Sequence, residues 1–213
     1  MHNSQGASQT SNSVAVSRPE SKFRGFIQGK TRIALAWIFA FALGFLARKF
    51  PTWPGIVVCF IGATLRFWAS GYLRKDNRPA VGGPYAWVRN PLYLGTYLMA
   101  LGTALAASQY VLLALLSVTF AVIYHYIILD EETKLERIFG SPYVRYKDLV
   151  SRFFPRPWPA RRAALLEVNP DPVHARFSWE LAMKNKAYEA YATFAGLIGL
   201  VAIIAWSWQR FGE

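Results

Sequence analysis

The chain has one cysteine in 213 residues, Cys59, and it lies inside an apolar run. An internal disulfide is impossible and a thiolate metal cluster is excluded, so a small buried hydrophobe is the ordinary role for this residue. Acidic residues are scarce too: 12 Asp and Glu stand against 24 Lys and Arg, a formal net charge of +12. That excess does not point to nucleic acid, because the basic residues flank apolar runs, where positive charge orients membrane helices. Histidine occurs three times; His125, alone on an apolar helix, fits a satisfied core position before a ligand or base. No dinucleotide glycine fingerprint is present. No secretory signal is evident, since the first apolar run starts late and ends in Ala47-Arg48-Lys49 instead of a small-residue cleavage site.

What is abundant is apolar surface. Hydrophobic residues make up 54% of the chain and aromatics 16%, the composition of a membrane protein. Five candidate spans follow: residues 33–47, 55–73, two in 92–129 separated by Ser108-Gln109, and 192–208. The expected fold is all-α, a polytopic integral membrane helix bundle of about five transmembrane helices with a cytoplasmic-face cofactor pocket. Residues 1–22 read as a disordered tail, 23–160 as the membrane domain, and 161–213 as an interfacial segment plus a C-terminal transmembrane helix. Lys and Arg concentrate in 74–91 and 130–176, which places those segments and the N-terminus in the cytoplasm. Stepping by three and four along the second run gives Gly55, Cys59, Gly62, Arg66 and Ser70, a face that lets another helix approach closely. Gly95, Gly102 and Ala106 form a similar face on the third. Arg66 in such a helix must look into the bundle or snorkel.

The connector at residues 82–95, GGPYAWVRNPLYLG, is richer than a plain loop requires. Gly83-Pro84 and Asn90-Pro91 each force a non-helical step, and Pro91 can start the next helix. The unpartnered N–H groups of that first turn suit an anionic group such as a carboxylate. After the helical hairpin comes Asp130-Glu131-Glu132. On an ideal wheel Glu131 falls about 25° from the centre of the apolar face and Glu132 about 75° off it, so Glu131 is expected to point inward. An inward carboxylate needs a cation: Arg66, Arg89, Arg152 or a ligand ammonium.

GPYAWVRNPLYLG, followed by EETKLERIFGSPYVRYKDLVSRFFP, resembles the isoprenylcysteine carboxyl methyltransferase family, which is itself similar to membrane phospholipid methyltransferases. The resemblance spans roughly residues 55–155. It implies a membrane enzyme that uses S-adenosylmethionine and takes a lipidic acceptor from the bilayer. Carried over by position, it implies cofactor contacts at Ala80, Tyr85, Asn90, Pro91, Leu92, Tyr93 and Glu131, with no metal. Two positions depart from the family pattern. Asn90 stands where a histidine is usual, so this position is expected to hold a ligand by hydrogen bonds and not to carry a proton. Ile127 stands where eukaryotic members have an arginine for the acceptor carboxylate, which leaves Arg152 and Arg89 as the catalytic candidates. Carboxyl methylation of an isoprenylcysteine-like group is the reading the resemblance favours. A phospholipid N-methyltransferase, a non-catalytic membrane protein that keeps the pocket, and a lipid reductase on a related scaffold remain open beside it.

Overall fold

The structure, a computed structural model, describes residues 38, 39, 42, 47–74 and 78–211. The expected tail at 1–22 and most of the first apolar run lie outside the described residues. Within them the fold is helical, with one isolated parallel β-bridge, between Val88 and Ser151.

Helix α1, Trp53–Ser70, starts with Pro54 in its first turn, where a missing N–H is tolerated. Helix α2, Pro91–Ala106, starts on Pro91 in the same way. The two pack along the small-residue faces expected from the sequence. A Cβ on Gly55 would lie 2.1 Å from the Ala106 nitrogen, one on Gly62 2.7 Å from the Gly95 oxygen, and one on Gly102 2.2 Å from the Cys59 nitrogen. These approaches leave no room for a side chain, so the backbones are in direct contact. Cys59 is fully buried there, with its sulfur 3.7 Å from the Thr103 hydroxyl. Thr52 closes the end of the pair, its N–H donating to Ala106 and its hydroxyl to Leu105.

Ser108, in a left-handed conformation with φ 58°, turns the chain into helix α3, Tyr110–Phe139. The hairpin break at Ser108-Gln109 is where the sequence places it. The second arm, however, is 30 residues long, because nothing interrupts the helix between the apolar run and the acidic turn until Gly140, with φ 64°, ends it. Helix α4, Ser141–Leu149, and α5, Arg162–Val168, then build a core of Tyr143, Tyr146, Val150, Leu165 and Val168 against Val81. Helix α6, Trp179–Lys184, is followed by α7, Glu189–Phe211, which packs Ala190 against Cys59, Ala63 and Met99. Asn185 caps the end of α1 by donating to the carbonyls of Ser70 and Leu73.

By length and composition α1, α3 and α7 can cross a membrane, and α2 is a shorter apolar helix beside them. Most of the apolar window of α3 is exposed, with only 11% of it buried against the rest of the protein. A helix that shows Val111, Leu115, Val118 and Val122 outward is suited to lipid and not to water.

Candidate active site

The segment between α1 and α2 folds into a compact turn. Gly83 adopts φ 54°, and a Cβ there would strike the Tyr72 ring at 2.4 Å, so the position needs glycine on both counts. The turn continues as a 3-10 helix, Gly83–Ala86, with Pro84 and Tyr85 buried. The chain after α4 lies along it: Arg89 N–H donates to Ser151 O at 2.8 Å, and Ala160 N–H to Ala86 O at 2.8 Å. Tyr146 pins the turn from below, its hydroxyl donating to Tyr85 O at 2.6 Å.

A cavity of about 330 Å³ opens where the end of α1, this turn, the start of α2 and the end of α3 meet. Ala80, Tyr85, Asn90, Pro91, Leu92, Tyr93 and Glu131 all line it. Every residue assigned to the cofactor from the sequence is thus in one wall, although those residues span half a hundred positions of chain. The volume is at the lower end of the usual ligand-pocket range of about 300–1,000 Å³. Arg66, Arg74, Arg78 and Arg89 also line it, together with Thr96, Leu135, Phe139, Tyr143 and Tyr146. Arg66 looks into the bundle, as its place on the small-residue face requires, and donates to Leu92 O and Thr96 Oγ1. Tyr143 and Tyr146 belong to the SPYVRY part of the motif. Their aromatic, polar-tipped character was a visible signal, but nothing in the sequence places α4 under the turn.

Glu131 and Glu132 exchange the positions expected from the helical wheel. Glu132 is buried, 3% exposed, while Glu131 is exposed at the cavity wall and accepts a hydrogen bond from the Tyr93 hydroxyl at 2.5 Å. The buried line on α3 runs through Phe120, Ile128 and Glu132, and Ile138, which the wheel counted as part of the apolar face, is 56% exposed. The wheel weighed apolar residues alone. Leu135 and Phe139 do pack against the apolar core, but Glu132 is buried by charge pairing, met by the Arg89 and Arg152 side chains.

Arg89 and Arg152, the catalytic candidates, both meet Glu132. Arg89 Nη2 is 3.1 Å from Glu132 Oε1, close enough for an ion pair without hydrogen-bond alignment, and Arg152 Nε donates to Oε2 at 3.2 Å. Arg89 is nearly as buried as the carboxylate, whereas the Arg152 side chain is 38% exposed and does not line the cavity. Asn90 Nδ2 donates to Arg152 O at 3.0 Å, so its side chain helps hold the same crossing. His125 is exposed on α3, away from the cavity.

Tyr85, Tyr143 and Tyr146 stay protonated at any physiological pH. Burial pushes Tyr85 well above the usual phenol range, and the Glu131 carboxylate adds to the shift. Burial does the same to Tyr143 and Tyr146, with Glu132 adding to both. They act as neutral hydrogen-bond donors and walls. Among the described residues no three His, Cys, Asp or Glu gather to hold a metal ion.

Residues 52–142 match the phospholipid methyltransferase family, which covers α1, the turn, α2, α3 and the first residues of α4. The match takes in the first motif, the start of the second and every lining residue of the cavity except Tyr143 and Tyr146. A cobalt-zinc-cadmium resistance protein of Cupriavidus metallidurans is 29% identical over 137 residues, 60% of this chain and 63% of that protein. A nickel-cobalt-cadmium resistance protein of Alcaligenes xylosoxydans xylosoxydans is 30% identical over 104 residues, 48% of this chain and 47% of its own. The protein-S-isoprenylcysteine O-methyltransferase of Schizosaccharomyces pombe is 33% identical over 81 residues, 38% and 34% of the two chains. The chain thus spans less than two thirds of the length of each of these relatives. No solved structure matches it significantly.

Proposed function

We propose that this protein is an integral membrane methyltransferase that uses S-adenosylmethionine and methylates a lipidic or amphiphilic acceptor. The observation that carries the reading is the cavity where the end of α1, the start of α2 and the end of α3 meet, lined mostly by the family-matched segment, with Glu131 in a wall otherwise rich in arginine. The chemistry of the wall fits the cofactor. Glu131 suits an ammonium, and the first turn of α2 suits a carboxylate. Arg74 and Arg89, both in the wall, each have a buried Nε–H with no hydrogen-bond partner among the described residues. That is unmet donor capacity of the kind a carboxylate satisfies. Tyr85 and Tyr93 offer faces to an adenine or a sulfonium.

When bound, S-adenosylmethionine supplies a methyl group already activated by its sulfonium. The protein's part is then to align the acceptor and to exclude water. Tyr146, Pro84 and Val88 are buried and keep the turn rigid beneath the cavity. Asn90 and the Arg89–Glu132–Arg152 cluster lock that turn to the chain after α4. Among the described residues no histidine lines the cavity, and this favours an acceptor that needs no deprotonation near neutrality. A carboxylate is such an acceptor, in line with O-methylation of an isoprenylcysteine-like group. Phospholipid N-methylation is the second reading, favoured by the description of the matched family. In both readings the N-terminus, the 74–91 turn and residues 130–176 face the cytoplasm, as the distribution of Lys and Arg favours.

The test is to incubate the purified protein with methyl-labelled S-adenosylmethionine and a membrane lipid extract, then isolate the labelled product. Label released by mild base is a methyl ester, and base-stable label on an amine is the phospholipid reading. Absence of cofactor binding by calorimetry, together with absence of labelled lipid, overturns the proposal.

A further inference from the structure

The turn at residues 79–86 has two faces. One walls the cavity described above. Behind the other lies a second cavity of about 470 Å³, lined by Val81, Gly82, Gly83 and Ala86 from the turn and by residues from Pro159 to Arg176. Its floor is mixed: Val81 and Leu165 belong to the buried core under α4 and α5, and the buried Asn169 also lines it. Among the described residues its charged lining residues are Arg162 and Arg176, and no carboxylate lines it. Neither guanidinium has a hydrogen-bond or ion-pair partner among the described residues. Of the acidic residues close in sequence, Glu167 is engaged by Arg145 at 3.3 Å, and Glu167, Asp171 and Glu180 do not line the cavity. Both side chains are exposed, so the pair does not need an anion to be stable, but two guanidinium groups beside a partly apolar floor can take an anion attached to apolar matter. Trp158 and Trp179, on the same part of the chain, are exposed, a pattern aromatic residues show at a membrane interface.

We infer that this second cavity is a binding site for a phosphate ester, most completely matched by the headgroup and first apolar carbons of an anionic phospholipid. Arg162 and Arg176 take the phosphate oxygens, a geometry to which the planar guanidinium is suited. Val81, Leu165 and Leu166 take the apolar part. Basic cavities next to membrane helices on the cytoplasmic side are the setting in which anionic headgroups are held. The site is separate from the methyl-transfer reading and stands whether or not that reading does.

The experiment uses the full chain in detergent and counts bound lipid by native mass spectrometry after incubation with phosphatidylglycerol or phosphatidylcholine. Retention of phosphatidylglycerol over phosphatidylcholine is the expected result. The double variant Arg162→Gln/Arg176→Gln is expected to lower that retention about tenfold or more, as loss of two charge-assisted contacts implies. Arg161→Gln, on a side chain that lines a neighbouring cavity instead, is expected to stay within about twofold of wild type. Leu166→Trp, which fills the cavity without touching charge, is expected to lower retention while the thermal transition holds. Glycerol 3-phosphate distinguishes the sources. If it displaces the lipid, the headgroup carries recognition; if it binds where phosphatidylglycerol does not, the natural ligand is a soluble phosphate ester. Equal retention of the two lipids without glycerol phosphate binding, or retention unchanged in both the double variant and Leu166→Trp, overturns the inference.

Discussion

Removing Glu132 tests whether the buried carboxylate is structural and the exposed one functional. In the folded protein Glu132 is 3% exposed and stands between Arg89, 7% exposed, and Arg152, 38% exposed. Breaking a buried pair by removing one partner costs about 3–5 kcal/mol, chiefly because the other charge is left buried and unpaired. Arg152 can turn to water, so its share is small. Arg89 cannot, and it also anchors the turn to Ser151 through its backbone. Glu132→Ala is therefore expected to destabilise by about 3–5 kcal/mol, nearly all of it through Arg89. Glu132→Gln, which keeps an acceptor, should fall lower, at about 2–3 kcal/mol. Arg89→Leu combined with Glu132→Leu removes both charges and is expected to lose much less than the sum of the single changes. Glu131→Gln is the contrast: little change in stability, but cofactor binding weaker by about 1–3 kcal/mol, the worth of a hydrogen bond to a charged group. The assays are unfolding in mixed micelles with rising dodecyl sulfate, followed by tryptophan fluorescence, and calorimetric titration with S-adenosylmethionine. A Glu132→Ala protein within about 0.5 kcal/mol of wild type refutes the reasoning. So does a Glu131→Gln protein that binds as tightly as wild type.

Asn90→His is expected to leave methyl transfer within about tenfold, roughly 1.4 kcal/mol, with superimposable profiles from about pH 6 to 8; a new inflection near the imidazole range shows that the position moves a proton. Tyr85, Tyr143 and Tyr146 hold their protons in the folded state above the ordinary phenol range, so the unfolded chain loses protons first as pH rises. Stability should be level below about pH 10 and fall above it. Tyr146→Phe should cost about 1 kcal/mol near neutrality, from the lost bond to Tyr85 O, and flatten that alkaline fall. Equilibrium unfolding at a series of pH values checks both. Gly102→Val inserts methyls where even a Cβ would lie 2.2 Å from the Cys59 nitrogen; it is expected to destabilise by about 3 kcal/mol or more, and recovery of normal unfolding would show that α1 and α2 can separate freely. Ser141→Cys in a Cys59→Ser background is expected to react with an impermeant thiol reagent only from the cytoplasmic side, and labelling from outside reverses the topology.

The sequence by itself determined the elements and the face on which two of them meet. Long apolar runs between basic segments can satisfy their backbones in lipid only as helices, and Pro54, Pro91, Ser108-Gln109 and Gly140 mark where those helices start or stop. Gly55, Gly62, Gly95 and Gly102 recur at helical spacing, and close approach of α1 to α2 follows from the absence of side chains alone. Six of the seven residues assigned to a cofactor by resemblance lie in the two motifs and Ala80 lies just before the first, but nothing local shows that Ala80 and Glu131 line one cavity. Tertiary structure alone decided which acidic residue is buried. A helical wheel ranks positions by apolar neighbours on the same helix, and on that measure Glu131 wins. The burial of Glu132 depends on Arg89 and Arg152, one from each end of the chain that folds over α3, and both cations are far from it in sequence. Charge pairing across such distances leaves no periodic trace. The same holds for the cavity behind the turn, whose two arginines and partly apolar floor come together only when α5 and the chain after it pack against Val81.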